Sequence, residues 1–216
     1  MSLIAYCLPL LYYIVMKPLS LERPLVIMTV GLPGSGKSFF ARQFSDMFSA
    51  PLISKDEIRT TLFPGSSYAK DEDIYVSKIA DINFRELLKT QRTIIYDGDF
   101  AAVKNRREVA KFAKERDYST MLIWVQTDDT TCRQRSLRRS KRKSGDTYNN
   151  PMTNEVYEQY AKRFTQPSQH DRVVVISGKH TFSSQARVVL KQLVSPQNSG
   201  KDQRADAQRR TSIQIN

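Results

Sequence analysis

The chain has 216 residues, 40% of them hydrophobic, enough for one α/β domain with tails and a single core. Its net charge of +12 calls for an anionic partner: nucleic acid, a nucleotide or an anionic membrane surface. The two cysteines, Cys7 and Cys132, lie far apart and fit no zinc or redox spacing, which excludes a disulfide framework and makes a reducing cytoplasm the expected setting.

The first segment, residues 1–16, is apolar apart from the breaks at Ser2 and Pro9. It is shorter than the roughly 20 residues of a membrane span and lacks the basic start and small-residue cleavage site of a signal peptide. The favoured reading is an extension ahead of a true start at Met16. A weak membrane anchor followed by Lys17 is the lesser one. The expected domain covers 17–194. The segment 195–216 is Gln-, Arg-, Asp- and Ser-rich and is expected to be a disordered polar tail.

Leu25–Val30 is the first strand-like run. It leads directly into Gly31-Leu-Pro-Gly-Ser-Gly-Lys-Ser38, a complete G-x-x-x-x-G-K-[ST] loop, and a helix-like stretch with Phe40, Phe44, Met47 and Phe48 at helical spacing follows. In that context the pattern is a nucleoside triphosphate site. The glycines let backbone N–H groups of Gly31, Gly34, Ser35, Gly36, Lys37, Ser38 and Phe39 converge on phosphate, and the helix adds the positive end of its dipole. Lys37 reaches the β- and γ-phosphates, and the Ser38 hydroxyl can ligate Mg²⁺. ATP and Mg²⁺ are therefore the expected cofactors.

Pro51–Ile53 reads as a second strand, and Ser54 with Glu57 as a capping box opening a helix. A longer helix is expected over 71–89, a third strand over 93–96, a charged helix over 104–116, a fourth strand over 121–125, and a helix from near Asp128 into a basic run. Thr153–Phe164 reads as a helix, Val173–Ile176 as the fifth strand and Ser183–Leu193 as the last helix. Strands alternating with helices predict a parallel sheet covered on both faces, with its ligand at the carboxyl edge of the strands.

At that edge two acids become informative. Asp56 follows the second strand, with Arg59 one turn later on the same helix face. A carboxylate beside the γ-phosphate can accept the proton of an attacking hydroxyl, and the Arg can hold a phosphate or keep the carboxylate ionised. Asp97 follows the third strand; it can hold Mg²⁺ through water or grip the acceptor hydroxyl. The run from Arg133 to Lys143 contains no acid, and Arg135, Arg138, Arg139 and Arg142 would share one helix face. Such a stripe can be a lid that closes on the transferred phosphoryl group, with the polar stretch 143–151 as its mobile part, or a nucleic-acid track. His170 and His180 flank the fifth strand and carry no assigned role.

The phosphate loop, Ile-Ser-Lys-Asp56-Glu-Ile-Arg59, Asp97-Gly-Asp-Phe followed by Asn105-Arg-Arg, and Arg135-x-x-x-Arg139 together resemble the kinase domain of phage-type polynucleotide 5′-kinases. They resemble equally the wider group of small P-loop kinases that includes the zeta toxins. The likeness covers residues 25–193. It implies a three-layer P-loop NTPase fold with strand order 2-3-1-4-5 and an Arg-rich lid. It also implies transfer of the γ-phosphoryl of Mg-ATP to a hydroxyl acceptor, either a nucleic-acid 5′-end or a small metabolite such as a sugar. By that resemblance Asp56 is the general base, Arg59 its acceptor-phosphate partner, Asp97 the acceptor-binding acid, and Arg135 and Arg139 the lid arginines, acting with Lys37. Two readings compete with a kinase: an ATP-dependent switch read by a partner, and a bare ATPase.

Overall fold

In the computed structural model, residues 23–139, 151–168 and 171–194 are described. The elements in order are β1 (Leu25–Val30), α1 (Lys37–Phe48), β2 (Leu52–Ser54), α2 (Lys55–Leu62), α3 (Lys70–Leu88), β3 (Ile94–Asp97), α4 (Val103–Lys114), β4 (Ser119–Gln126), α5 (Asp129–Leu137), α6 (Asn154–Arg163), β5 (Val173–Ser177) and α7 (Phe182–Val194). All strand pairings are parallel, in the order β2-β3-β1-β4-β5. This is the expected order. The bounds move by a residue or two. β2, for example, starts after Pro51, which has no N–H to give the ladder but whose carbonyl accepts from the Ile95 amide at 2.9 Å.

The apolar run of β1 follows from its place in the middle of the sheet, where a strand is covered on both faces. Alternate residues serve opposite cores. Val26, Met28 and Val30 pack with Phe84, Tyr96 and Leu122 on the side of α3 and α4. Leu25 and Ile27 pack with Phe40, Phe44, Met121 and Val189 on the side of α1 and α7. The sheet edge at the strand carboxyl ends is thereby held rigid from both sides, and there the chain turns polar.

The structure corrects the basic run. It does not continue one helix. The helix α5 starts under an Asp128 cap on the Thr131 amide at 2.9 Å and ends at Leu137, with Arg138 as its C-terminal cap. The reason is backbone competition. The Ser136 carbonyl, which the residue four places on would use in a longer helix, accepts instead from the Met152 amide at 3.2 Å. Arg139 thus lies past the helix end, and the expected single helix face does not run on through Arg138 and Arg139. Arg142, the expected mobile stretch up to residue 150, the apolar segment 1–16, His170 and the tail 195–216 lie outside the described residues.

Candidate active site

The connection between β1 and α1 is shaped by glycines. Gly34 has φ +78°, and a Cβ there would stand 2.3 Å from the Cys132 carbonyl oxygen. Gly36, at φ +106°, is the N-terminal cap of α1; no side chain caps the helix and its first turn holds no acid. The amides that open α1 are thus left for an anion, and the +0.5 end of the helix dipole points the same way. A loop of this shape fits a polyphosphate and has no other evident use.

One cavity of about 660 Å³ opens over this loop. Gly31, Gly34, Gly36, Lys37, Ser38 and Phe39 line it from the loop and α1, Asp56 and Arg59 from α2, Asp97 from the end of β3, and Arg135 and Arg139 from α5 and beyond. Ser35 is the exception among the nominated residues. It is fully buried beneath the loop, its carbonyl accepting from the Thr127 hydroxyl at 3.0 Å. Its amide, bonded to the Leu32 carbonyl at 3.1 Å, closes the turn.

The side chains in the cavity influence one another. The Lys37 ammonium donates to the Leu32 carbonyl at 2.8 Å. Burial pushes its pKa down, and Asp97 and Asp56 pull against that. The Asp97 carboxylate is 6% exposed and accepts from the Thr29 hydroxyl at 2.5 Å, which fixes it beside β1. Asp97 is also in register with Ser54 of β2, so Asp56, two residues on, emerges at the same edge. Burial raises the Asp56 carboxyl; Arg139 is the largest opposing charge, while Asp97 adds to the rise.

The arginines divide. The Arg135 guanidinium donates to the Gly178 carbonyl at 3.2 Å, on the β5 side of the cavity. Arg139 donates to the Tyr68 hydroxyl at 3.4 Å, on the α2–α3 side. The expectation that both point from one helix face therefore gives way to two arginines flanking the cavity. Arg59 is also placed differently. It is 6% exposed, pairs with Glu72 at 3.3 Å and with Asp73, and stacks on the Tyr68 ring at 5.1 Å. Its charge is spent on α3.

Several lining residues were given no role of their own in the sequence. Lys55 donates to Ser77 of α3 at 3.0 Å. Asp99 pairs with Arg163 of α6 at 3.6 Å, and Asn105 donates to the Asp99 carbonyl at 2.8 Å. Tyr160 of α6 also lines the cavity. Asp99 stands inside the Asp97-Gly-Asp-Phe motif and was within reach of the reading. Nothing local marks Tyr160 or Arg163, which only the packing of α6 brings in. No group of three or more His, Cys, Asp or Glu that could hold a metal occurs among the described residues.

Residues 26–167 match the AAA domain family. The chain belongs to this family. It is an ATP-binding P-loop family. No curated protein matches the chain. Among solved structures, this AAA-domain chain is similar to Chaetomium thermophilum Kti12 in complex with ADP-AlF3, at 21% identity and a TM-score of 0.56, over 78% of this chain and 96% of that one. It is similar to the Mycobacterium tuberculosis APS kinase CysC in complex with AMPPNP and APS, at 15% identity and a TM-score of 0.54, over 79% and 98%. It is also similar to a chain of the Pnkp1/Rnl/Hen1 RNA repair complex, at 19% identity and a TM-score of 0.55, over 67% and 45%. At these identities the likeness is one of fold. Among the described residues no helix is long and apolar enough to cross a membrane.

Proposed function

We propose that the protein is a kinase that moves the γ-phosphoryl of Mg-ATP to a hydroxyl acceptor. The observation that carries this reading is the meeting of Lys37, Asp97 and Asp56 in one cavity, each from a different strand end. A switch or a bare ATPase needs the loop and one acid for Mg²⁺ or water; the second carboxylate beside it, Asp56, is the group an acceptor hydroxyl would use.

The loop amides and the α1 terminus hold the phosphates. Lys37 exchanges the Leu32 carbonyl for the β/γ oxygens. Mg²⁺, which the Ser38 hydroxyl would help to hold, would neutralise charge on the leaving diphosphate. Asp56 accepts the proton of the acceptor hydroxyl as that oxygen bonds to the γ-phosphorus; the bond to the bridging oxygen breaks and ADP departs. Asp97, fixed by Thr29, orients the hydroxyl or a metal-bound water. Arg139 opposes the upward push of burial on the Asp56 carboxyl, and with Arg135 it offsets charge on the phosphoryl group in flight.

The fold likeness to chains named as kinases supports the reading. The test is transfer of label from γ-labelled ATP to a panel of hydroxyl compounds, with wild type and Asp56→Asn side by side. Acceptor-dependent ADP release in wild type, lost in the variant, is the expected result. Equal, acceptor-independent ADP release in both would leave an ATPase.

A further inference from the structure

The wall facing the phosphate loop is made by α2, α3, the β3–α4 connection and α6. It brings three cations to the cavity, Lys55, Arg59 and Arg163, with Arg139 meeting it at Tyr68 in the field of Asp56, and three carboxylates, Asp56, Asp73 and Asp99. Each of the cations already has an acidic partner or neighbour. Arg59 pairs with Asp73 and Glu72, and Arg163 pairs with Asp99. Lys55 bonds Ser77 and lies in the field of Asp99, Asp81 and Asp73. With Asp97 counted, this wall has four carboxylates against four cations and so no cationic surplus, while Lys37, Arg135 and Arg138 line the cavity from the loop and α5 side. The chain's surplus of +12 is not found here. Between the ion pairs the wall offers groups that suit a neutral guest: the hydroxyls of Ser77 and Tyr160, the Asn105 amide and the Phe100 ring.

We infer that the acceptor bound on this wall is an uncharged polyhydroxyl compound, a sugar, cyclitol or nucleoside, and not a phosphorylated metabolite or a nucleic-acid end. The inference rests on the kinase reading and narrows its acceptor. A phosphate entering beside Asp73 and Asp99 meets like charge unless a cation leaves its partner, and the carboxylate left behind then stands unpaired in a partly desolvated site. Hydroxyl groups meet no such penalty. They can donate to the carboxylates and accept from Lys55, Asn105 and Tyr160 without breaking a pair.

Matched acceptors test this. Uridine, adenosine, D-ribose and myo-inositol would each be compared with a phosphomonoester of itself, alongside a 5′-hydroxyl oligodeoxynucleotide, using γ-labelled ATP. The neutral member of a pair should have a kcat/KM about tenfold or more above its phosphorylated partner, the scale expected when like charges are brought together. Asp99→Asn releases Arg163 and Lys55 from a carboxylate, so it should shrink that ratio while Mg-ATP affinity, measured by calorimetry, stays level. Faster labelling of the phosphomonoesters or the oligonucleotide would overturn the inference and leave the kinase reading standing. If Mg-ATP binds and no compound of either kind takes label, both fall.

Discussion

The loop side of the cavity is built from backbone, whereas the facing wall is built from side chains of α2, α3, the β3–α4 connection and α6. The loop consists of amides, positive-φ glycines and one lysine within eight consecutive residues. The facing wall is laced by ion pairs between different elements, Arg59 of α2 with Asp73 of α3 and Arg163 of α6 with Asp99 of the β3–α4 connection. A backbone site recognises a common feature, the polyphosphate, and leaves little room for variation. A side-chain site can be re-addressed by single substitutions. The division implies that donor recognition and acceptor choice can be broken separately.

The largest expected effect is on the loop side. Lys37→Ala removes the one ammonium at the β/γ position and should abolish or greatly weaken Mg-ATP binding in calorimetry. Near-equal affinities would move the nucleotide elsewhere. Next comes the carboxylate at the boundary of the two halves. Asp56→Asn should leave ATP affinity intact and lower single-turnover transfer by about two to four powers of ten, the usual worth of general acid–base catalysis. Retained transfer would return Asp56 to a role in the first turn of α2.

Arg139→Ala and Arg135→Ala should lower turnover more than ATP affinity, each by as much as about 10²–10³, because the charge they meet is greatest in the transition state. Arg139 carries a further signature. Asp56 acts as a base only when ionised, and burial raises its pKa, so the acid limb of the rate profile should lie above the ordinary carboxylate range. Arg139 is the main charge holding that pKa down, so its removal should move the limb to higher pH. A double variant at full turnover would exclude both arginines from the chemistry.

The smallest effect is on stability. Because the folded-state pKa of Asp56 is raised above its ordinary 3.8, the folded protein binds that proton more tightly than the unfolded chain. Stability from this group therefore falls as pH rises from 3.8 through the raised value. At neutral pH Asp56→Asn should raise Tm slightly, and the gain should vanish at pH below 3.8. A lower Tm at pH 7 would mean that Arg139 more than offsets the burial.

The fold was legible in the sequence because its strongest signals are local. The unbroken apolar run of β1, the loop behind it and the Ser54–Glu57 cap need no distant partner to be read. The strand order needed the family resemblance and agrees with it. The basic run misled, since its helical spacing says nothing about a carbonyl claimed by Met152. The partners of Arg59 were hidden for a related reason: the acids that hold it sit on α3, thirteen and fourteen residues away. The donor side was thus readable from one contiguous motif. Much of the acceptor side, Tyr160 and Arg163 above all, became visible only once α6 was placed.

The hydrogen bond from Met152 to Ser136 also bears on how this chain can be edited. It holds residues 136 and 152 together on the scaffold itself, and changing the number of residues between two such joined points is entropically cheap, each doubling of a loop adding only about 0.6 kcal/mol of closure entropy. Positions 139 and 151 are therefore natural joints for a laboratory insertion or exchange.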